Sequence, residues 1–194
     1  MITIGLDLSI NSTGVCVCRD GAPTKYHLIV SDKSITKKVR KVIDTLPDLI
    51  EYHIYTKDTT GTDYESKEIA KTNNMNVIGD IIGDIIDEII DEERPDCVFI
   101  EGISYGSIGS AALVDLSGLN FIVRRVLRDR GLYWEVVSPT RVKRNACGNG
   151  AAHKDEMVYA WLKCDSRLEQ YKSQLKIDDL ADSYFLAMTP TSSK

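Results

Sequence analysis

Four acidic residues stand where a lone carboxylate is costly. Asp7 closes Ile2-Thr3-Ile4-Gly5-Leu6, in which apolar residues alternate, and Glu101 follows the continuous apolar run Val98-Phe99-Ile100. The first pattern reads as a strand and the second as a short buried strand. Each acid therefore ends a strand at or near a sheet interior, where an unpaired carboxylate is expensive to bury. Asp179 and Asp182 lie three residues apart in a helical pattern and project from nearly one face. Like charges so placed repel unless something positive lies between them. A divalent cation resolves all three anomalies together, because hard ions such as magnesium prefer carboxylate and water oxygens and bind through a few carboxylates plus substrate phosphate. Two such ions ~3.5–4 Å apart can activate a water and stabilise the leaving oxygen of a phosphodiester. Taken singly, each acid has a plainer use: Asp7 could cap a turn, Glu101 could pair with an arginine, and Asp179 could be a first-turn acid favoured by the helix dipole. Asp178, four residues before Asp182, competes with Asp179 for the same role.

The elements around these acids follow from periodicity. Ile2 to Asp7, Val15 to Cys18 and Tyr26 to Val30, with an Asp20-Gly21 turn between the last two, read as an antiparallel meander. Residues 31–63 are ambiguous between a short helix, loop and a strand at Ile50 to Tyr55. Ile78, Ile81, Ile82, Ile85, Ile86, Ile89 and Ile90 recur at helical spacing within a helix from Tyr64 to Glu93, which Pro95 stops. A strand from Cys97 to Ile100 ends at Glu101-Gly102, and a helix from Ser110 to Arg130 ends at Gly131. A strand from Tyr133 to Val137 leads into Ser138-Pro139, a helix-start signal. Helices from Lys154 to Leu162 and Ile177 to Met188 complete the chain. Antiparallel strands followed by alternating strands and helices predict an α/β fold, a mixed sheet with helices on both faces. That order resembles the ribonuclease-H-like fold, with residues 1–194 as a single nuclease domain.

Composition narrows the classes. A length of 194 residues fits one domain, and apolar runs only a few residues long fall short of the ~20 that a membrane span needs. Secretion is argued against by Asp7 and the absence of a basic region before it, where a signal peptide would place its apolar stretch. Five cysteines, an odd and scattered set, read as reduced thiols of an intracellular protein, and neither a CxxC pair nor a histidine cluster suggests zinc. The net charge of −5 hides a one-sided distribution. Basic residues gather at Lys33 to Lys41, Arg124 to Arg130 and Arg141 to Lys154, whereas Asp80, Asp84, Asp87, Glu88 and Asp91 lie between the isoleucines of the long helix.

In its ordered motifs the chain resembles the RuvC family of Holliday-junction resolvases. Ile4-Gly5-Leu6-Asp7 with Thr13-Gly14 is similar to the family's first-strand motif, and Val98-Phe99-Ile100-Glu101 to its second acid. Ser138-Pro139-Thr140-Arg141-Val142-Lys143, then Gly148-Asn149-Gly150, then Ala152-His153-Lys154 resembles its DNA-binding stretch. Asp179-Leu180-Ala181-Asp182 followed by Ala187 resembles its terminal signature. The resemblance implies a homodimeric endonuclease that makes two symmetric nicks in a four-way DNA junction. It implies Asp7, Glu101, Asp179 and Asp182 as ligands of two Mg2+ ions, with Mn2+ as the substitute. Lys143 and Lys154 match basic positions on DNA and near the scissile phosphate, with Arg141 and Arg144 beside them; Lys154 would also serve catalysis. The implied setting is a bacterial cytoplasm, the gene belonging to the cell or to a virus infecting it. Departures are visible: Leu8-Ser9 replaces the family's Pro-Gly, residues 31–63 are longer than its pattern, and Ser104 occupies the place of its wedge aromatic. Tyr105, next to it, is either a stacking residue or a packing one.

Three other readings compete. Asp7-Leu8-Ser9 to Thr13-Gly14 also resembles the phosphate-binding hairpin of actin-like sugar and acetate kinases, although 194 residues leave no room for their second domain. A non-enzymatic junction binder would lack the acids. Another ribonuclease-H-like nuclease, on branched DNA or RNA–DNA hybrids, differs only in substrate. For a dimer, the helix from Ser110 to Arg130 offers Leu113, Leu116, Leu119, Ile122 and Val123 as an interface, unless these belong to the core.

Overall fold

The computed structural model describes residues 1–103 and 109–191. Strands β1 (Ile2–Asp7), β2 (Ser12–Arg19) and β3 (Ala22–Ser31) form the expected antiparallel meander. Asp20 and Gly21, both at positive φ, supply the backbone twist that a tight hairpin needs. The ambiguous stretch resolves into 3-10 turns at Asp32–Ser34 and Ile43–Thr45 around a short helix α1 (Lys37–Val42), then strand β4 (Ile50–Tyr55). This connection returns the chain to the start of β3, so β4 pairs parallel to it. Helix α2 (Tyr64–Glu92) crosses to β5 (Cys97–Glu101), parallel to β1, and α3 (Ser110–Asp129) leads to β6 (Trp134–Val137), parallel to β5. The sheet order is β4-β3-β2-β1-β5-β6. Helices α4 (Pro139–Cys147), α5 (Lys154–Cys164) and α6 (Ile177–Ala187) follow. No helix among the described residues is long and apolar enough to cross a membrane.

Strand alternation divides the core into two layers. Ile2, Ile4 and Leu6 of β1, Val15 and Val17 of β2, and Val98 and Ile100 of β5 face α2 and α3, where Ile78, Ile82, Ile86, Leu119, Val123 and Leu127 meet them. Cys16 and Cys18 of β2, Tyr26 and Leu28 of β3, and Cys97 and Phe99 of β5 face the carboxyl-terminal helices through Met157, Trp161, Leu180 and Leu186. The five cysteines are free thiols. The α3 residues expected at an interface divide: Leu119 and Val123 are fully buried core, and Ile122 packs over Gly79 of α2. Helical geometry explains why the core alternative holds for these positions, because residues four apart share the face already covered by α2. Val114 and Phe121 are the large apolar residues that α3 leaves exposed, at 65% and 63%.

Charge follows the same division. The acids of α2 are exposed opposite its isoleucines, and Arg130 donates through Nε to Asp87 at 2.7 Å. Arg125 pairs with Asp129 at 2.6 Å, and the Arg124 guanidinium lies 5.2 Å from the Phe121 ring and 5.5 Å from that of Trp134. Part of the Arg124 to Arg130 cluster is thus engaged locally, on the layer that carries the acidic helix.

Helix α6 lies directly on β1 and β2. A Cβ added to Gly5 would overlap the carbonyl oxygen of Ser183 and come within 2.5 Å of the Ala187 nitrogen. A Cβ on Gly14 would overlap the carbonyl of Asp179. Helix α5 is tied to the sheet by a buried relay, in which Trp161 Nε1 donates to the Tyr26 hydroxyl at 3.0 Å and that hydroxyl donates to Asp165 at 3.0 Å. We expect Gly5→Ala to lower unfolding free energy by ~1–3 kcal/mol, the range for overpacking against backbone. Gly109→Ala, whose Cβ meets nothing within 4 Å, should stay within ~0.5 kcal/mol of wild type. Urea titration of both variants is the check.

Candidate functional site

Asp7 and Glu101 extend adjacent parallel strands one residue beyond the paired Leu6 and Ile100, at the carboxyl edge of the sheet. Alternation puts both on the α6 layer, the side of Gly5 and Phe99. The two glycines let α6 approach until the first-turn Asp179 and, one turn on, Asp182 stand over the same edge. All four acids are half-buried, so solvent still reaches them. The hairpin after Asp7 is braced by Ser9 and Thr13: the Ser9 amide donates to Thr13 Oγ1 at 3.0 Å, and that hydroxyl donates to the Ser9 carbonyl at 2.8 Å.

Burial and mutual repulsion dominate the electrostatics. Burial pushes Asp7 well up, and Glu101, Asp182 and Asp179 push it further in that order. Glu101 is raised to about 7 by burial and by Asp182, against the pull of Lys143 and Lys154. Asp179 and Asp182 each rise to about 6, burial being the largest cause in both. The four sequence-predicted acids therefore act on one another through one pocket. Among the described residues, however, no three of them have ligand oxygens mutually within 4.8 Å. Like charges crowded at a sheet edge spread apart. An all-oxygen set of half-buried, mutually repelling carboxylates fits a hard divalent cation, which would remove that repulsion.

The basic residues sort by position. Ser138 caps α4 by accepting from the Arg141 amide at 3.3 Å and Gly148 at positive φ ends it; Lys143 within this helix acts on Glu101 and Asp182 as a positive neighbour. His153 and Glu156 form a capping box at the start of α5 and set Lys154 in its first turn. Lys154 Nζ bonds Asp178 at 2.8 Å. Burial pushes Asp178 up, but the Lys154 ammonium outweighs it and holds that carboxyl below its ordinary value. The two candidates differ in their partners: Asp178 pairs with the lysine, whereas Asp179 takes a hydrogen bond from Ser12 Oγ and acts on Asp7. The buried Ser12 is a pocket residue that sequence reasoning missed; its signal was its place at the start of β2, two residues before Gly14. Arg144 is exposed, and Arg141 does not share the pocket, since its guanidinium donates to the Pro190 carbonyl at 2.9 Å. Tyr105 lies outside the described residues.

A second group of ligand-type side chains corrects the expectation that no histidine cluster exists. His27, Glu51 and His53 have donor atoms within 4.8 Å of one another. Residues 26 positions apart carry no local sequence signal; the parallel pairing of β3 with β4 unites them.

Neither a family model nor a curated protein sequence matches the chain significantly. Solved structures do. Thermus thermophilus RuvC aligns over 97% of this chain and 92% of its own, with a TM-score of 0.59 at 16% identity. T. thermophilus RuvC in complex with a Holliday junction substrate aligns over 97% and 91%, with the same score and identity. The yeast mitochondrial Holliday junction resolvase Ydc2 aligns over 96% of this chain and 75% of its own, with a TM-score of 0.56 at 13% identity. The chain thus has the ribonuclease-H-like fold of the RuvC-type resolvases, as its sequence motifs led us to expect.

The raised acids have a thermodynamic signature. A carboxyl that holds its proton more tightly when folded than when unfolded stabilises the fold at low pH, and that contribution is lost as pH rises through its folded value. For Asp179 and Asp182 the window runs from the ordinary 3.8 to about 6, and for Glu101 from 4.5 to about 7. In EDTA, Asp182→Asn should remove part of this loss, so its urea midpoint relative to wild type should be higher at pH 8 than at pH 5.

Proposed function

We propose that this chain, as a single nuclease domain over 1–194, is a structure-specific endonuclease that resolves four-way DNA junctions. The observation that carries this reading is the convergence of Asp7, Glu101, Asp179 and Asp182 from β1, β5 and α6 with Lys143 and Lys154 beside them. The fold shared with T. thermophilus RuvC, one of whose structures holds a Holliday junction substrate, supports it.

In this mechanism Asp7, Glu101, Asp179 and Asp182 would together hold two divalent ions, Mg2+ or Mn2+, with Asp7 on the central strand as the ligand common to the Glu101 side and the Asp179–Asp182 side. Such ions supply an activated water and stabilisation of the leaving oxygen. The residues of the chain do the remaining work. Glu101 and the α6 acids, raised first by burial and then by neighbouring acids, keep a strong demand for positive charge at the edge of the sheet. Ser12 fixes the Asp179 carboxylate through its hydroxyl. Lys154, held by Asp178, is placed to stabilise charge that builds on the scissile phosphate. Lys143 and Arg144 on α4 contact flanking phosphates, which makes affinity fall steeply with salt. The acidic side of α2 faces away from this surface, across the sheet.

A homodimer belongs to the same reading, because a junction with twofold character is met at both cleavage points by a twofold protein. Paired symmetric nicks then follow from one pocket in each subunit. The actin-like kinase alternative finds no support in the all-carboxylate pocket.

Labelled four-way junction, linear duplex and RNA–DNA hybrid, incubated with Mg2+ and then with EDTA, test the proposal. Paired nicks confined to the junction and abolished by EDTA are expected; preferential cleavage of the hybrid, or ATP turnover, would overturn it. Asp7→Asn and Glu101→Gln should retain junction binding in a gel shift while cleavage falls by at least ~100-fold, the scale set by losing a group that acts in the transition state. Asp178→Asn should lose less activity than Asp179→Asn, since Asp178 acts only through Lys154.

A further inference from the structure

On the opposite layer from the carboxylate pocket, the mid-strand residues of β3 and β4 place three metal-ligand types around one point. The paired positions His27 and Glu51, with His53 two residues along β4, all project toward α2. His27 Nδ1 is 3.0 Å from His53 Nε2, and each of these nitrogens is 3.9 Å from a carboxylate oxygen of Glu51. Ligands of a tetrahedral zinc at about 2.0–2.1 Å from the metal stand roughly 3.3 Å from one another. The two nitrogens stand near the spacing of one coordination edge, the 3.9 Å distances run to different oxygens of Glu51 (Oε2 from His27, Oε1 from His53), and each residue offers one donor atom within 4.8 Å of the other two. His27 is almost fully buried and His53 partly so, which limits the ways these rings can turn aside.

The surroundings suit a cation. A cavity of about 310 Å3 opens beside His27 and Glu51 and is also lined by Glu88 and Glu92 of α2. Glu88 and Asp84 act on His53 as negative neighbours. Arg19 is paired with Glu92 at 2.6 Å, whereas Lys25 pairs with Glu51 itself at 3.2 Å, so an ion bound here displaces the Lys25 ammonium from that carboxylate. Two imidazoles and one carboxylate select borderline transition metals over magnesium.

We propose that His27, His53 and Glu51 form a separate site for one zinc-class ion, three-coordinate from the protein and open to the cavity at its fourth position, which fastens the edge strand β4 to β3. The site is independent of the nuclease reading, because it shares no residue with the carboxylate pocket.

The test uses the full chain, stripped with EDTA and titrated with Co2+ as a spectroscopic stand-in for Zn2+. The expected result is the intense visible absorption of tetrahedral cobalt, saturating at one ion per chain and displaced by Zn2+. His53→Gln and Glu51→Gln, chosen because the buried His27 is a greater risk to folding, should weaken Co2+ binding at least ~10-fold. Far-UV circular dichroism confirms that these variants fold. Asp7→Asn should leave the band and its midpoint unchanged. Absence of the band in wild type, its persistence at full affinity in folded His53→Gln, or its loss in Asp7→Asn would overturn the proposal.

Discussion

The closeness of α6 to bare strand backbone governs the rest of the molecule. Helix and sheet can approach so nearly only because Gly5 and Gly14 have no side chain, the carbonyls of Ser183 and Asp179 occupying the space a Cβ would need. That contact makes Asp179 and Asp182 neighbours of Asp7, from which they are separated by most of the chain. It also sets the register of the helix, since a shift of one residue would turn the two acids away from the strand edge. Hydrophobic burial alone would not choose that register, because α6 is apolar over most of its surface.

The pocket that results is held against its own electrostatics. Four carboxylates in partial burial disfavour one another's ionisation, and the fold meets this with two lysines on capped helices, Lys143 within α4 and Lys154 at the start of α5. Among the described residues, Lys154 is the one of the two that pairs with an acid, Asp178. The pairing leaves the other carboxylates in need of positive charge while supplying a cation at the rim. Local capping chemistry at Ser138 and His153, distant from the acids in sequence, therefore enters the charge balance of the site.

The two faces of the sheet carry different donor chemistry. The α6 face gathers oxygen donors at the ends of central strands; the α2 face gathers two imidazoles and one carboxylate in the middle of the outer pair. Strand alternation keeps them apart, since residues one position removed point to opposite layers. It likewise places the acidic side of α2 across the sheet from the lysines of α4 and α5.

Sequence by itself determined the helices of strong 3.6-residue period, the opening meander and the four acids as a set, because periodicity and the cost of a carboxylate at a strand end are local quantities. The parallel placement of β4 was not legible, since residues 31–63 carry competing weak signals and the strand is chosen by packing of Ile50 against the core. The assignment of Leu119 and Val123 to core rather than interface needed α2 in place to cover them. Only tertiary structure could separate Asp178 from Asp179: both lie in the first turn of α6, and the choice depends on which one Lys154 reaches. For the same reason the His27, Glu51 and His53 group was invisible in the chain, where Glu51 and His53 stand close together but His27 lies far upstream, and it exists because two strands pair side by side in one register.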